Sequence, residues 1–251
     1  MSGDHIQSHL NTESYLINVE PAQKIITVLV LSLSLAFNDI RNPLTFNMIL
    51  FCIIWFVFIS IPSINFLLRR MYVIIPFILF AFLLPFISKS GPAIYLYKSI
   101  AIYEDGLFEM CNILVKSMAG VSMAVALSAT TYQFDIIKGL QKIKFPKIFV
   151  AILSFALRYI NVYVSEFKRV KLSMKSRGFQ NKSLADSITV AYGGSAMLIR
   201  GFERGEKVYS SMISRGFDGS LYVSAKKWNQ SKQLYFLSVT ALLANIIGYF
   251  V

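Results

Sequence analysis

Residues 44–61 read LTFNMILFCIIWFVFISI, eighteen consecutive positions without a charged side chain. Wound as an α-helix at about 1.5 Å per residue, the stretch is about 27 Å long, close to the thickness of a bilayer's hydrocarbon core. Bulky apolar residues fall on every side of that helix, so no face is left for water. Similar runs lie at residues 25–37, 71–87 and 233–251, with a fifth, more mixed one at 113–130. Of all 251 residues, 55% are hydrophobic and 15% charged, well to the apolar side of a soluble domain. The sequence therefore predicts an all-α polytopic membrane protein of about five transmembrane helices. That excludes an ordinary soluble enzyme, a secreted disulfide scaffold and a disordered chain. Cys52 and Cys111, the two cysteines, sit in or beside apolar segments and point to neither a bridge nor a metal site.

Charge divides the chain. Residues 1–131 carry seven Lys and Arg against seven Asp and Glu, residues 132–232 carry 18 against six, and residues 233–251 carry none. The middle block thus holds the entire formal net charge of +12. Lys and Arg in short loops are retained on the cytoplasmic side. Three parts are expected: a tail with a four-helix membrane domain at 1–131, a basic cytoplasmic module at 132–232, and a last transmembrane helix at 233–251. With a cytoplasmic N-terminus, 38–43 faces out, 62–70 with Arg69 and Arg70 faces in, and 89–112 with Glu104, Asp105 and Glu109 faces out. No basic start followed by an apolar core opens the chain, so a multi-pass protein of the cytoplasmic membrane without a cleaved signal peptide is expected. Residues 148–164, IFVAILSFALRYINVYV, are apolar enough to cross. One crossing there, however, would export Lys168, Arg169, Lys171, Lys175, Arg177 and Lys182. The segment is instead expected to lie along or dip into the cytoplasmic face, paired with 184–199.

Inside the basic block the sequence repeats. Residues 169–179 read RVKLSMKSRGF and residues 207–217 read KVYSSMISRGF, identical at seven of eleven positions across an offset of 38. Each copy closes a helix-permissive stretch. Gly178 and Gly216 suit the left-handed residue that ends a helix, and Arg177 and Arg215 in the last turn suit its dipole. An end that presents Ser176, Arg177, Gly178 and Phe179, or Ser214, Arg215, Gly216 and Phe217, fits docking into a groove on another protein, because the arginine fork recurs at interface hot spots. The plainer reading is that each arginine only caps its own helix. Repetition of the polar Ser-Arg-Gly core within one basic block favours docking.

These residues resemble the transmembrane T component of energy-coupling factor (ECF) transporters, in particular the Q-type component of cobalt uptake systems. The likeness includes Ser14, Tyr15 and Leu16 with Pro21 and Lys24, and the stretch ALSATTYQFDIIKGLQKIKFP at 126–146. It continues through Arg158, Tyr159 and Ile160 followed by Glu166, then Arg200, Arg204 and MISRGFDG at 212–219. The resemblance implies a scaffold whose two coupling helices each end in an Arg-centred motif, here at Arg177 and Arg215. Those motifs would engage grooves on two cytoplasmic ATP-binding cassette subunits, while a small membrane subunit captures the substrate. Arg158, Glu166, Phe179, Arg204 and Phe217 would support the coupling helices. Cobalt ion is the substrate to which the resemblance points, with nickel or a vitamin such as biotin as alternatives, since specificity would reside in the capture subunit.

Several features carry less. No G-x-x-x-x-G-K-[ST] phosphate loop is present, and GFERGEK at 201–207 has the wrong spacing, so the chain is expected to be no enzyme and to hydrolyse no ATP itself. His5 and His9, the only histidines, lie in a polar tail without a third ligand, and neither metal nor cofactor is expected. Arg158, Glu166, Glu203 and Arg204 are expected to pair or cap within their helices, and Gly193 with Gly194 to permit close helix contact or a bend. A membrane enzyme would need clustered acids, His or Cys that the sequence lacks. A basic anchor for anionic lipid or nucleic acid is the competing use of the charge. The expected partners are two ATPases, a capture subunit and the bilayer, and not nucleic acid.

Overall fold

The computed structural model describes residues 15–38, 42–60, 70–87, 93–97, 100–179, 186–219 and 228–250. His5, His9, Ser14, Arg69 and Lys182, all named above, lie outside them. Pro21 occupies the first turn of α1 (Pro21–Phe37), where its missing N–H costs nothing and its φ is already helical. Asn38 closes that helix by sending its backbone N–H (3.3 Å) and its side-chain Nδ2 (2.9 Å) to the Ser34 carbonyl. The charge-free run forms α2 (Pro43–Ser60). A 3-10 turn (Met71–Ile74) leads into α3 (Ile75–Ile87). Two short strands, β1 (Ala93–Tyr97) and β2 (Ile100–Tyr103), pair antiparallel, with Tyr97 opposite Ile100. Then follow α4 (Glu104–Thr130), α5 (Gln133–Lys142), α6 (Lys147–Ser176), α7 (Asp186–Ile213) and α8 (Lys232–Phe250).

Two helices begin earlier than expected. α4 begins at Glu104, nine residues before the expected 113, because Glu104 and Asp105 interrupt an apolar run but favour the positive end of a helix. α1 likewise starts before its apolar run, and takes in Lys24. The connection at 89–112, expected from its charges to face out, contains the hairpin and the start of α4.

The chain groups into two compact units, Met1–Gly139 with Ala225–Val251, and Leu140–Ser224. In the first unit, one face of α2 presents Phe46, Ile49, Ile53 and Phe56 to Leu31 and Leu35 of α1, Met123 and Ala126 of α4, and Leu234, Leu237 and Ala241 of α8. Its other face is equally apolar and open, with Phe51 64% and Phe58 77% exposed. A helix apolar on both faces has hydrocarbon for its solvent. Ala119, Ala126, Ala241 and Ala244 lie in the core, as expected where helices in lipid gain by close packing rather than by escape from water.

A polar seam joins α1 to α8. Ser231 donates its N–H to Gln23 Oε1 (3.1 Å), and Asn245 Nδ2 donates to Ser34 Oγ (2.6 Å) and Asn245 Oδ1 accepts from Asn38. Before the helices, Glu20 N–H bonds to the Asn229 carbonyl and Asn229 N–H to the Asn18 carbonyl, both at 3.0 Å. The two helices therefore start at the same end and run parallel. By length and composition Pro43–Ser60, Asp105–Thr130 and Lys147–Ser176 can each cross a membrane, and Pro21–Phe37, Met71–Pro85 and Lys232–Ile247 are shorter apolar helices. Lys147–Ser176 qualifies on those two criteria, whereas the charge pattern predicts a surface position for its apolar half.

Candidate docking site

Two motif stretches 106 residues apart meet inside the first unit. Lys24, 1% exposed, donates from Nζ to the Thr130 carbonyl at 2.9 Å. That carbonyl ends α4 and has no acceptor duty within its own helix. Asp135 also attracts the ammonium and accepts a hydrogen bond from Lys138 Nζ at 2.9 Å. Gly139 of α5 lies against the first turn of α1, where an added Cβ would sit 3.0 Å from the Ala22 nitrogen and 3.1 Å from the Pro21 carbonyl carbon. A buried ammonium is tolerable only when paired; here its partners fasten α1 to the α4–α5 elbow through which the chain leaves this unit.

The repeated segments, in the second unit, end their helices alike. Phe179 N–H bonds to the Met174 carbonyl (3.1 Å) and Gly178 N–H to the Lys175 carbonyl (3.1 Å). Thirty-eight residues on, Phe217 bonds to Met212 (3.0 Å) and Gly216 to Ile213 (2.9 Å). This paired closure is a Schellman motif, which needs a left-handed residue after the helix; Gly178 has φ 77° and Gly216 φ 81°. Arg177 and Arg215 are exposed at the ends, while Phe179 and Phe217 turn back to half-buried positions. Ser176 Oγ donates to the Leu172 carbonyl (3.0 Å) and Ser214 Oγ to the Ser210 carbonyl (2.9 Å), so both hydroxyl protons are committed to their own helices. Among the described residues the arginine, not the serine, is the donor that each end leaves without a partner.

α6 and α7 cross antiparallel, and the repeat fixes how. Gly201 accommodates the Tyr163 ring, and Glu166 pairs with Arg204. In both contacts a residue meets its own counterpart at offset 38. Away from that point the contacts interchange. Met174 lies against Gly193, the counterpart of Phe155, and Phe155 packs edge-on against Phe217, the counterpart of Phe179, with centroids 6.5 Å apart. The pair therefore has an approximate two-fold axis through 163–166 and 201–204. Each arginine end stands about 18 Å along its helix from that axis, at about 1.5 Å per residue.

Glu166 holds the Arg204 guanidinium above its ordinary pKa through their hydrogen bond. Arg158 and Glu203, expected to pair or cap, are exposed and have no ion-pair partner among the described residues. α7 runs unbroken through Gly193 and Gly194. Gly193 makes the close contact, against Met174 and Val170, and Gly194 faces open space. Among the described residues no cluster of His, Cys, Asp and Glu is placed to hold a metal. Sequence reading missed Gly201 and the joint at Lys24. Gly201 was findable: extending the offset upstream of the eleven matched positions aligns it with Tyr163.

This polytopic membrane chain has relatives among known proteins. The cobalt transport protein family CbiQ matches residues 12–226, and the chain belongs to that family. It is a membrane component of a transport system. An uncharacterized protein of Methanocaldococcus jannaschii is 27% identical over 179 residues, which are 70% of this chain and 66% of that one. A second from the same organism is 25% identical over 98% of this chain and 90% of its own length. The energy-coupling factor transporter transmembrane protein EcfT of Staphylococcus aureus is 24% identical over 86% of this chain and 84% of that protein.

Proposed function

We propose that the chain is the coupling scaffold of an ATP-driven importer. In this reading residues 132–232 form a cytoplasmic module, with 148–164 along the membrane face and the N-terminus on the same side. Arg177 and Arg215 each dock one ATP-binding cassette subunit, and a small membrane subunit captures the substrate. The observation that carries this is the duplicated helix end: two Schellman closures, each exposing an arginine about 18 Å from a shared axis. Nothing internal to α6 or α7 requires the same arginine twice, whereas two similar partner subunits do. ATP-driven closure of those subunits would move the crossed helices. Hydrolysis belongs to the partners, because this sequence lacks a phosphate loop.

Cobalt ion is the substrate favoured by the family's description as cobalt transport protein. A second reading keeps the same scaffold with a capture subunit that takes nickel or a vitamin such as biotin; the names of the EcfT relatives specify no cobalt. Purifying the tagged chain from its native membrane in mild detergent and identifying co-eluting proteins by mass spectrometry tests the assembly. Radiolabelled cobalt(II) uptake by cells with and without the chain tests the substrate. Co-elution of ATP-binding cassette subunits and a small membrane protein, with chain-dependent cobalt uptake, is expected. A stable preparation without ATPases would overturn the scaffold reading, and uptake unchanged by loss of the chain would overturn cobalt.

A further inference from the structure

The two arginine ends share a backbone but not their surroundings. Equivalent positions show the contrast directly: Lys168, Arg169, Lys171, Lys175 and Arg177 at the first end correspond to Glu206, Lys207, Tyr209, Ile213 and Arg215 at the second. Five cations face two cations and an acid. Asp218 lies three residues beyond Arg215, where the first end has Gln180.

Packing is broken at the same place. Beside Phe217 the position facing it is filled by Phe155; the counterpart of Phe155 is Gly193, so the ring contact that Phe217 makes has no equivalent at that position beside Phe179. A cleft of 920 Å³ opens there between α6 and α7, lined by Arg169, Val170, Met174, Arg177, Thr189 and Arg200 among others, with no acid among the described residues of its lining. Among the described residues none of Arg169, Arg177 and Arg200 has an ion-pair partner. Arg200 corresponds to Val162 in the other copy.

We infer that the two ends dock unequally: the Arg177 end, with its cleft, receives an acidic segment of one ATPase subunit and supplies most of the affinity and salt dependence of the complex. The Arg215 end docks through one arginine beside an apolar surface. The inference rests on the reading of these ends as ATPase docking points. Three unpartnered guanidinium groups around one concave site complement carboxylates in fork-to-fork geometry. Converging charges also set the salt dependence of association, while an isolated rim charge does little.

The test compares ATPase affinity across a sodium chloride series in detergent for the wild-type complex, Arg169→Ala/Arg200→Ala, the equivalent-position control Lys207→Ala, and Ala196→Phe, which places a ring in the cleft without touching its charges. The arginine double variant is expected to weaken retention about 10-fold or more at low salt and to flatten the salt dependence. Ala196→Phe should weaken retention without flattening it, and Lys207→Ala should change it less than about 2-fold. Equal losses from the double variant and Lys207→Ala would overturn the inequality while leaving the docking reading intact. Unchanged ATPase retention with lost binding to phosphatidylglycerol vesicles would assign the cleft to lipid and also overturn it. If the wild-type chain retains no ATPase, the parent reading fails and this one with it.

Discussion

Gly178 and Gly216 are the residues on which the docking ends depend most simply. Each stands at positive φ with open space around the missing Cβ, so only backbone strain opposes a side chain. Gly178→Ala and Gly216→Ala should each cost about 1–2 kcal/mol at the helix end. The effect should appear as amide exchange roughly 5- to 30-fold faster over the last turn. Gly120→Ala, in a helix and equally open, should instead be neutral or slightly stabilising. Lys24 behaves differently because its environment is built around its charge. Lys24→Met leaves the Thr130 carbonyl without its donor and Asp135 with Lys138 as its cation, at about 1–3 kcal/mol. Heating the chain in detergent and following labelling of buried Cys52, in a Cys111→Ser background, should show earlier exposure for Lys24→Met. Lys138→Met, at a partly exposed i,i+3 pair, should change the midpoint little.

At the scale of elements, the α6–α7 crossing makes a prediction specific to its symmetry. Glu166 and Arg204 are counterparts on the approximate axis, so exchanging them recreates the same pair in reverse order. Glu166→Ala or Arg204→Ala should weaken ATPase retention by disordering the crossing, and Glu166→Arg/Arg204→Glu should restore most of it. A swap as damaging as either single change would mean that the two-fold relation does not govern this contact. Much of this element structure was legible in the sequence. The glycine stops, the arginines before them and the 38-residue offset read directly, because helix termination is local chemistry. The start of α4 was not, since acidic residues that end an apolar run also begin helices well. Neither was the partner of Lys24, which is fixed by a contact 106 residues away and leaves no periodic trace.

On the scale of the whole molecule, the charge division and the parallel run of α1 and α8 make a topological prediction. With cysteines introduced one at a time into a Cys52→Ser/Cys111→Ser background, Asp218→Cys should be labelled by an impermeant maleimide only from the cytoplasmic side. Asn42→Cys should be labelled only from outside. Membrane character was readable because apolar runs of this length have no other solvent, whereas the unequal ends required the structure. Only the crossing shows that Gly193 replaces Phe155 beside the first arginine.

The most direct test of coupling through the duplicated ends is retention of ATPase subunits by Arg177→Glu/Arg215→Glu beside wild type, at matched expression and with membrane insertion checked by the same cysteine labelling. An inserted double variant that co-purifies without ATPase subunits, while wild type retains them, is the predicted result. Equal retention by both chains would contradict docking through these arginines.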